Sequence, residues 1–148
     1  MTRTLKIVVQ ITFVAIFLPA VVRADDQDVI DYREHIMKTL DEQAAAVGMI
    51  LSTAVPGDNT AAHLRAIALT AQIALKSFEP KVLGGEAKPE VWSNWADFSK
   101  RMNEFAKKTA EMAALGKEKG SDDPALGEKV VDALSCKSCH DVYRKEKK

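Results

Sequence analysis

After an apolar opening stretch, hydrophobic positions recur in steps of three and four along the rest of the chain. No run alternates with period two, no Asn-Gly pair marks a hairpin, and β-branched clusters are few, so the pattern predicts helices and no sheet. The first predicted helix covers about residues 27–52, with Ile30, Arg33, Met37, Leu40, Ala44, Val47 and Leu51 on one stripe. Val55-Pro56-Gly57-Asp58 ends it. A second covers about residues 60–78, with Leu64, Ile67, Ala71, Ala74 and Phe78 on its stripe. Glu79-Pro80 closes it, and Gly84-Gly85 falls in a connector expected to be mobile. A third covers about residues 89–115, with Pro89 at a favourable first-turn position. Its stripe is Val91, Trp95, Phe98, Met102, Phe105, Thr109 and Met112, and Gly116 and Gly120 mark its end. The fourth opens at Asp122-Asp123-Pro124, an acidic cap before a first-turn proline. It runs through Leu126, Val130, Ala133 and Leu134 without a break to near Arg144. Four amphipathic helices with short links predict an all-α, antiparallel four-helix bundle.

The opening stretch is set apart from that bundle. Arg3 and Lys6 precede an apolar run from Ile7 to Val22, and Val22-Arg23-Ala24 places small residues before the polar Asp25-Asp26-Gln27-Asp28. That order predicts a signal peptide over residues 1–24, cleaved after Ala24, and an exported domain over residues 25–148. The run is short for a membrane span, which needs about 20 apolar residues. Losing Arg3, Lys6 and Arg23 leaves 18 basic residues against 21 acidic ones, a net charge of −3. A weakly acidic domain is not a nucleic-acid binder, and its overall electrostatic steering is weak.

Both cysteines of the chain fall in one pentapeptide, Cys136-Lys137-Ser138-Cys139-His140. C-x-x-C-H is the attachment pattern of a c-type haem: two thiols three positions apart each form a thioether to a haem vinyl group, and the adjacent imidazole reaches the iron. On a helix the three side chains share one face. A thioredoxin-like redox pair would sit in a βαβ context that this chain lacks. A structural zinc site needs a fourth ligand. The predicted cofactor is one covalent haem c per chain, held by Cys136 and Cys139, with His140 on the metal. Attachment takes place outside the cytoplasmic membrane, which agrees with export to the periplasm.

With these elements placed, the whole of residues 25–148 resembles the class II c-type cytochromes, the cytochrome c′ and cytochrome c-556 family. The resemblance rests on C-x-x-C-H near the C-terminus, followed by Asp141-Val142-Tyr143-Arg144, on Arg33 and Met37 as an R-x-x-x-M pattern in the first helix, and on Lys88-Pro89-Glu90-Val91-Trp92 at the entry to the third. It implies a periplasmic haem protein, often a homodimer through its first two helices, with Arg33 pairing a haem propionate. The residues support that role independently, because Arg33 is a charge in an otherwise apolar stripe and a buried charge needs a partner. Glu34 stands where many relatives carry glutamine.

Met37 decides the type of family member. It lies one turn from Arg33 on the same face, toward the distal side of the haem. In the c-556 type a methionine here is the sixth iron ligand, and a closed iron suits single-electron transfer between proteins. In the c′ type the sixth position is open to nitric oxide or carbon monoxide, and Met37 is a gap filler of the core, as Met102 and Met112 are. The sequence reading takes the first: an electron carrier rather than an enzyme, with His140 and Met37 on the iron and redox proteins of an electron-transfer chain as partners. The open-site gas binder is the alternative. No distal His/Arg pair is placed for peroxide chemistry. His35, His63 and Met49 are expected away from the site, and Trp92 and Trp95 in the core or an interface. Arg144, Lys145, Lys147 and Lys148, with Lys137, form a basic patch at the haem-bearing end, suited to an acidic redox partner or to solvent alone.

Overall fold

The computed structural model describes residues 24–121 and 123–146 of the 148-residue chain. The predicted signal peptide, apart from Ala24, lies outside the described residues, as do Asp122, Lys147 and Lys148. Among the described residues six α-helices and two short 3₁₀ turns follow one another: α1 (Asp26–Leu51), α2 (Thr60–Ala74), α3 (Glu90–Ser93), α4 (Trp95–Lys119), α5 (Pro124–Ala133) and α6 (Lys137–Tyr143). Helix α2 packs against α1 and α4, α4 packs against α5, and the short α6 closes onto α3 and α4. The bundle is all-α and antiparallel, with α5 and α6 together supplying the fourth rod. Among the described residues no helix is long and apolar enough to cross a membrane.

Local chemistry explains the helix starts. Asp25 caps α1 reciprocally: its carboxylate accepts from the Asp28 N–H at 2.8 Å, and Asp28 accepts from the Asp25 N–H at 3.2 Å. Asp123 accepts from the Ala125 N–H at 2.8 Å before Pro124 opens α5. Helix α2 gives way to a 3₁₀ turn at Leu75–Phe78, whose cap Glu79 keeps helical dihedrals; Pro80, with no N–H to donate, follows it and ends the ladder.

Two expected helices are broken. The third divides at Asn94 (φ −122°, ψ 48°), which caps α4 and turns its amide to donate to the Tyr143 hydroxyl at 3.2 Å. It also runs on through Gly116 to end at Gly120 (φ 81°). The fourth divides between Ala133 and Lys137, so the cysteine pair lies on a separate helix rather than along a continuous one. There the Ser135 hydroxyl donates back to the Asp132 carbonyl at 3.1 Å and the Ser138 hydroxyl to the Ser135 carbonyl at 3.0 Å, local bonds that compete with the helical ladder.

The core has two parts. At the lower end, Val47, Leu64, Ile67, Met112, Leu126, Val130 and Ala133 join α1, α2, α4 and α5. At the upper end, Ile36, Ala74, Phe78, Val91, Phe98, Met102 and Tyr143 form a second cluster. Met102 and Met112 are core, as expected. The buried stripe of α1 is wider than the three-four pattern: Ile36 and Ile50 are buried beside it, while Met37, Leu40 and Leu51 are half-buried. Edge-to-face pairs of Phe98 with Phe78 (5.0 Å) and with Tyr143 (5.1 Å) bind the upper cluster to α6.

Candidate haem site

The motif residues occupy the first turn of α6. Cys136 is its N-terminal cap, and its carbonyl accepts from the Cys139 N–H at 3.3 Å and the His140 N–H at 3.1 Å. That turn gathers the three side chains at one end of the bundle. Cys136 is exposed, Cys139 is half-buried against the upper cluster, and His140 is half-buried. Burial raises the Cys139 thiol pKa, so the sulfur stays protonated at neutral pH. Burial first, and then Arg144, lowers the His140 pKa, which favours the neutral imidazole that a metal requires. Asp41 of α1 lies within electrostatic reach of both Cys136 and His140.

Arg33 is 3 % exposed. Its Nη1 donates to the Val82 carbonyl at 2.8 Å, and its guanidinium sits 5.0 Å from the Trp92 ring centroid and 5.6 Å from that of Phe78. Its Nη2 is buried without a hydrogen-bond partner. Burial lowers the Arg33 pKa, with Glu34 acting in the opposite direction; an arginine nevertheless keeps its proton. Met37, one turn along, packs on the same upper cluster as Cys139. The structure therefore brings together Arg33, Met37, Cys139 and, through the shared turn, Cys136 and His140. His35 is exposed, Met49 is 52 % exposed, and His63 is half-buried with Nδ1 2.8 Å from Gln43 Oε1 on the α1–α2 face. Those three take no part. Among the described residues no three His, Cys, Asp or Glu side chains form a group that could hold a metal ion.

These residues fit a covalent haem. Two thiols and an imidazole emerge from one turn, an apolar and aromatic cluster adjoins them, and a buried guanidinium N–H lacks an acceptor of the kind that a propionate supplies.

A family model described as Cytochrome C′ matches residues 28–144. The chain belongs to the cytochrome c′ family. Cytochrome c′ of Alcaligenes xylosoxydans xylosoxydans is 26% identical over 126 residues, spanning 84% of this chain and 98% of that relative. Among solved structures, cytochrome c prime from Shewanella frigidimarina is 26% identical with a TM-score of 0.73, covering 84% of this chain and all of that one. The nitrosyl complex of a variant of cytochrome c prime from Alcaligenes xylosoxidans is 25% identical with a TM-score of 0.75, covering 83% and 98%. These four-helix bundles carry haem c, and haem c is the cofactor of this chain.

Sequence reasoning missed two features around α6. Tyr143, 3 % exposed, donates to Asp97 Oδ2 at 2.6 Å, and Arg101 Nε donates to the same oxygen at 2.6 Å. Burial and that carboxylate push the Tyr143 pKa up to about 12. Tyr143 and Arg101 hold the Asp97 carboxyl below its usual range. The connector read as mobile is pinned to α6: the Lys88 N–H donates to the Tyr143 carbonyl at 2.9 Å and the Lys145 N–H to the Glu86 carbonyl at 2.8 Å. Glu34 meets this connector, accepting from the Glu86 N–H at 3.3 Å. The sequence signal was faint: Tyr143 and Arg144 directly follow the motif, but their partners are more than 45 residues away.

Proposed function

We propose that this chain is a periplasmic cytochrome c′ whose iron keeps an open distal face for nitric oxide or carbon monoxide, with Met37 crowding that face rather than closing it. Residues 1–24 would carry the chain out of the cytoplasm. Cys136 and Cys139 would hold the haem by thioethers, the neutral imidazole of His140 would occupy the proximal position, and Arg33 would donate to a propionate. When bound, the haem supplies the redox-active iron and its gas-binding position.

One observation carries the reading. Against the cluster shared by Met37 and Cys139, the described residues offer no second imidazole: His35 is exposed and His63 is engaged with Gln43. The hydroxyl of Tyr143 is committed to Asp97. The resemblance to a protein solved as a nitrosyl complex supports the same reading.

The electron-carrier reading keeps one observation in its favour. The Met37 thioether is half-buried on the cluster that also takes Cys139, one turn from Arg33. The absorption spectrum of the ferric protein discriminates. An open site gives a high-spin spectrum that Met37→Ala leaves unchanged, and carbon monoxide binds on reduction. A low-spin spectrum with a weak sulfur-to-iron band, lost in Met37→Ala, would establish ligation and overturn the proposal.

A further inference from the structure

The segment between α2 and α3 touches both sides of the site. Toward α1, the Val82 carbonyl accepts from Arg33 and the Glu86 N–H donates to Glu34. Gly84 (φ 146°) and Gly85 (φ 57°) let this segment lie on Ile30 and Glu34, where an added Cβ would collide. Toward α6, Ala87 and Arg144 form an antiparallel bridge, and the Lys145 ammonium donates to the Gly85 carbonyl at 2.8 Å. Glu86 Oε2 accepts a hydrogen bond from Arg144 Nε at 2.7 Å and forms an ion pair with its Nη2 at 2.5 Å.

Arg144 sits one turn beyond His140 on the same helix face, its N–H donating to the His140 carbonyl at 2.9 Å. Both side chains line one surface groove, with Lys137, Asp141, Lys145 and Glu146. Lys137 and Asp141 neutralise each other at 2.7 Å. Arg144 is the cation of this groove that Glu86 restrains with a hydrogen bond and an ion pair. The geometry points to Glu86 as a positioning residue that fixes the Arg144 guanidinium beside His140 and offsets its charge there. The inference rests on His140 being the proximal iron ligand.

A plain stabilising role does not account for the pair. Its side chains are 33 % and 47 % exposed, and exposed ion pairs contribute roughly 0–1 kcal/mol. The backbone bonds of Lys88 and Lys145 already pin the connector without it. What the pair does determine is where a positive charge stands relative to the imidazole. An uncompensated cation beside the proximal ligand disfavours the more positive ferric state, and the Glu86 carboxylate removes that bias. Partial exposure screens the effect, so it is modest.

The test uses the haem-loaded full chain and its midpoint potential. Glu86→Gln should raise the ferrous-to-ferric ratio at fixed electrode potential by roughly three- to tenfold, tenfold being about 59 mV for one electron. Arg144→Gln should lower that ratio, the double change should return it near the parent value, and Glu86→Asp should keep it there. Equal potentials in Glu86→Gln and Glu86→Asp, or a double change that stays as far from the parent as Glu86→Gln alone, would overturn the proposal. If Glu86→Gln fails to mature, the exchanged pair Glu86→Arg with Arg144→Glu carries the test. It preserves the clasp and reverses the charge beside His140, so the ratio must fall; an unchanged ratio rejects the role. The ferrous parent is read first by resonance Raman. A missing histidine–iron stretch sinks the ligand assignment and the proposal with it, whereas a normal stretch with unmoved potentials sinks the role of Glu86 alone.

Discussion

Two glycines inside long helices should respond oppositely to the same substitution. Gly116 is buried in α4, where an added Cβ would collide with Leu64 Cδ1 and meet Leu126 Cδ1 at 3.6 Å. Leu64 is 0 % exposed in the lower core and has no free direction in which to yield. Overpacking of this kind costs about 1–3 kcal/mol. Replacing glycine by alanine in a helix returns about 1 kcal/mol, so Gly116→Ala should show a net loss of up to about 2 kcal/mol. Gly48 lies within α1, exposed, with nothing within 4 Å of its added Cβ. Gly48→Ala should therefore gain about 0.5–1 kcal/mol from the backbone alone. Urea unfolding of the haem-loaded proteins, followed at the haem absorbance, gives both values under identical conditions. A Gly116→Ala protein as stable as Gly48→Ala would refute the close approach of α2 and α4 in the lower cluster.

Two further outcomes concern charged and titrating groups near the site. Arg33→Met should destabilise the haem-loaded protein by about 3 kcal/mol in the same urea assay, since removing one partner of a buried pair strands the other; unchanged stability would mean that the buried guanidinium meets no propionate. Tyr143 has a folded pKa of about 12 against an ordinary value of 10.0, so the fold favours the neutral phenol. Its contribution is whole below pH 10 and disappears as pH rises through 12. The parent should lose stability across that window relative to Tyr143→Phe, and parallel pH curves for the two proteins would contradict the buried Tyr143–Asp97 bond.

The parts legible in the sequence are those whose causes are local. Cys136, Cys139 and His140 were readable because covalent attachment dictates their spacing, and Arg33 because a lone charge interrupts an apolar stripe. The extent of helix α1 and the buried stripe of α4 followed their three-four patterns, and the Asp123-Pro124 start of α5 followed from capping chemistry. The break at Asn94 was hidden because its reason is Tyr143, 49 residues away. The break before Cys136 arises from serine hydroxyls bonding back to the chain, which periodicity does not register. The Gly84-Gly85 connector read as mobile for the same reason: its restraints come from Glu34, Tyr143, Arg144 and Lys145, all remote in sequence. Met37 shows the limit from the other side. Its place on the helix was readable, but its half-buried packing against the Cys139 cluster suits either a bound or an unbound thioether.

The most direct measurement is an absorption spectrum of the purified protein, expressed in a host that matures c-type cytochromes and extracted with acidified acetone before reading. The account predicts a Soret band that survives extraction with the polypeptide and, after reduction, shifts when carbon monoxide is added. A Soret band that leaves with the solvent, or no band at all, would contradict a haem held by Cys136 and Cys139, and a ferrous band indifferent to carbon monoxide would contradict the open distal face.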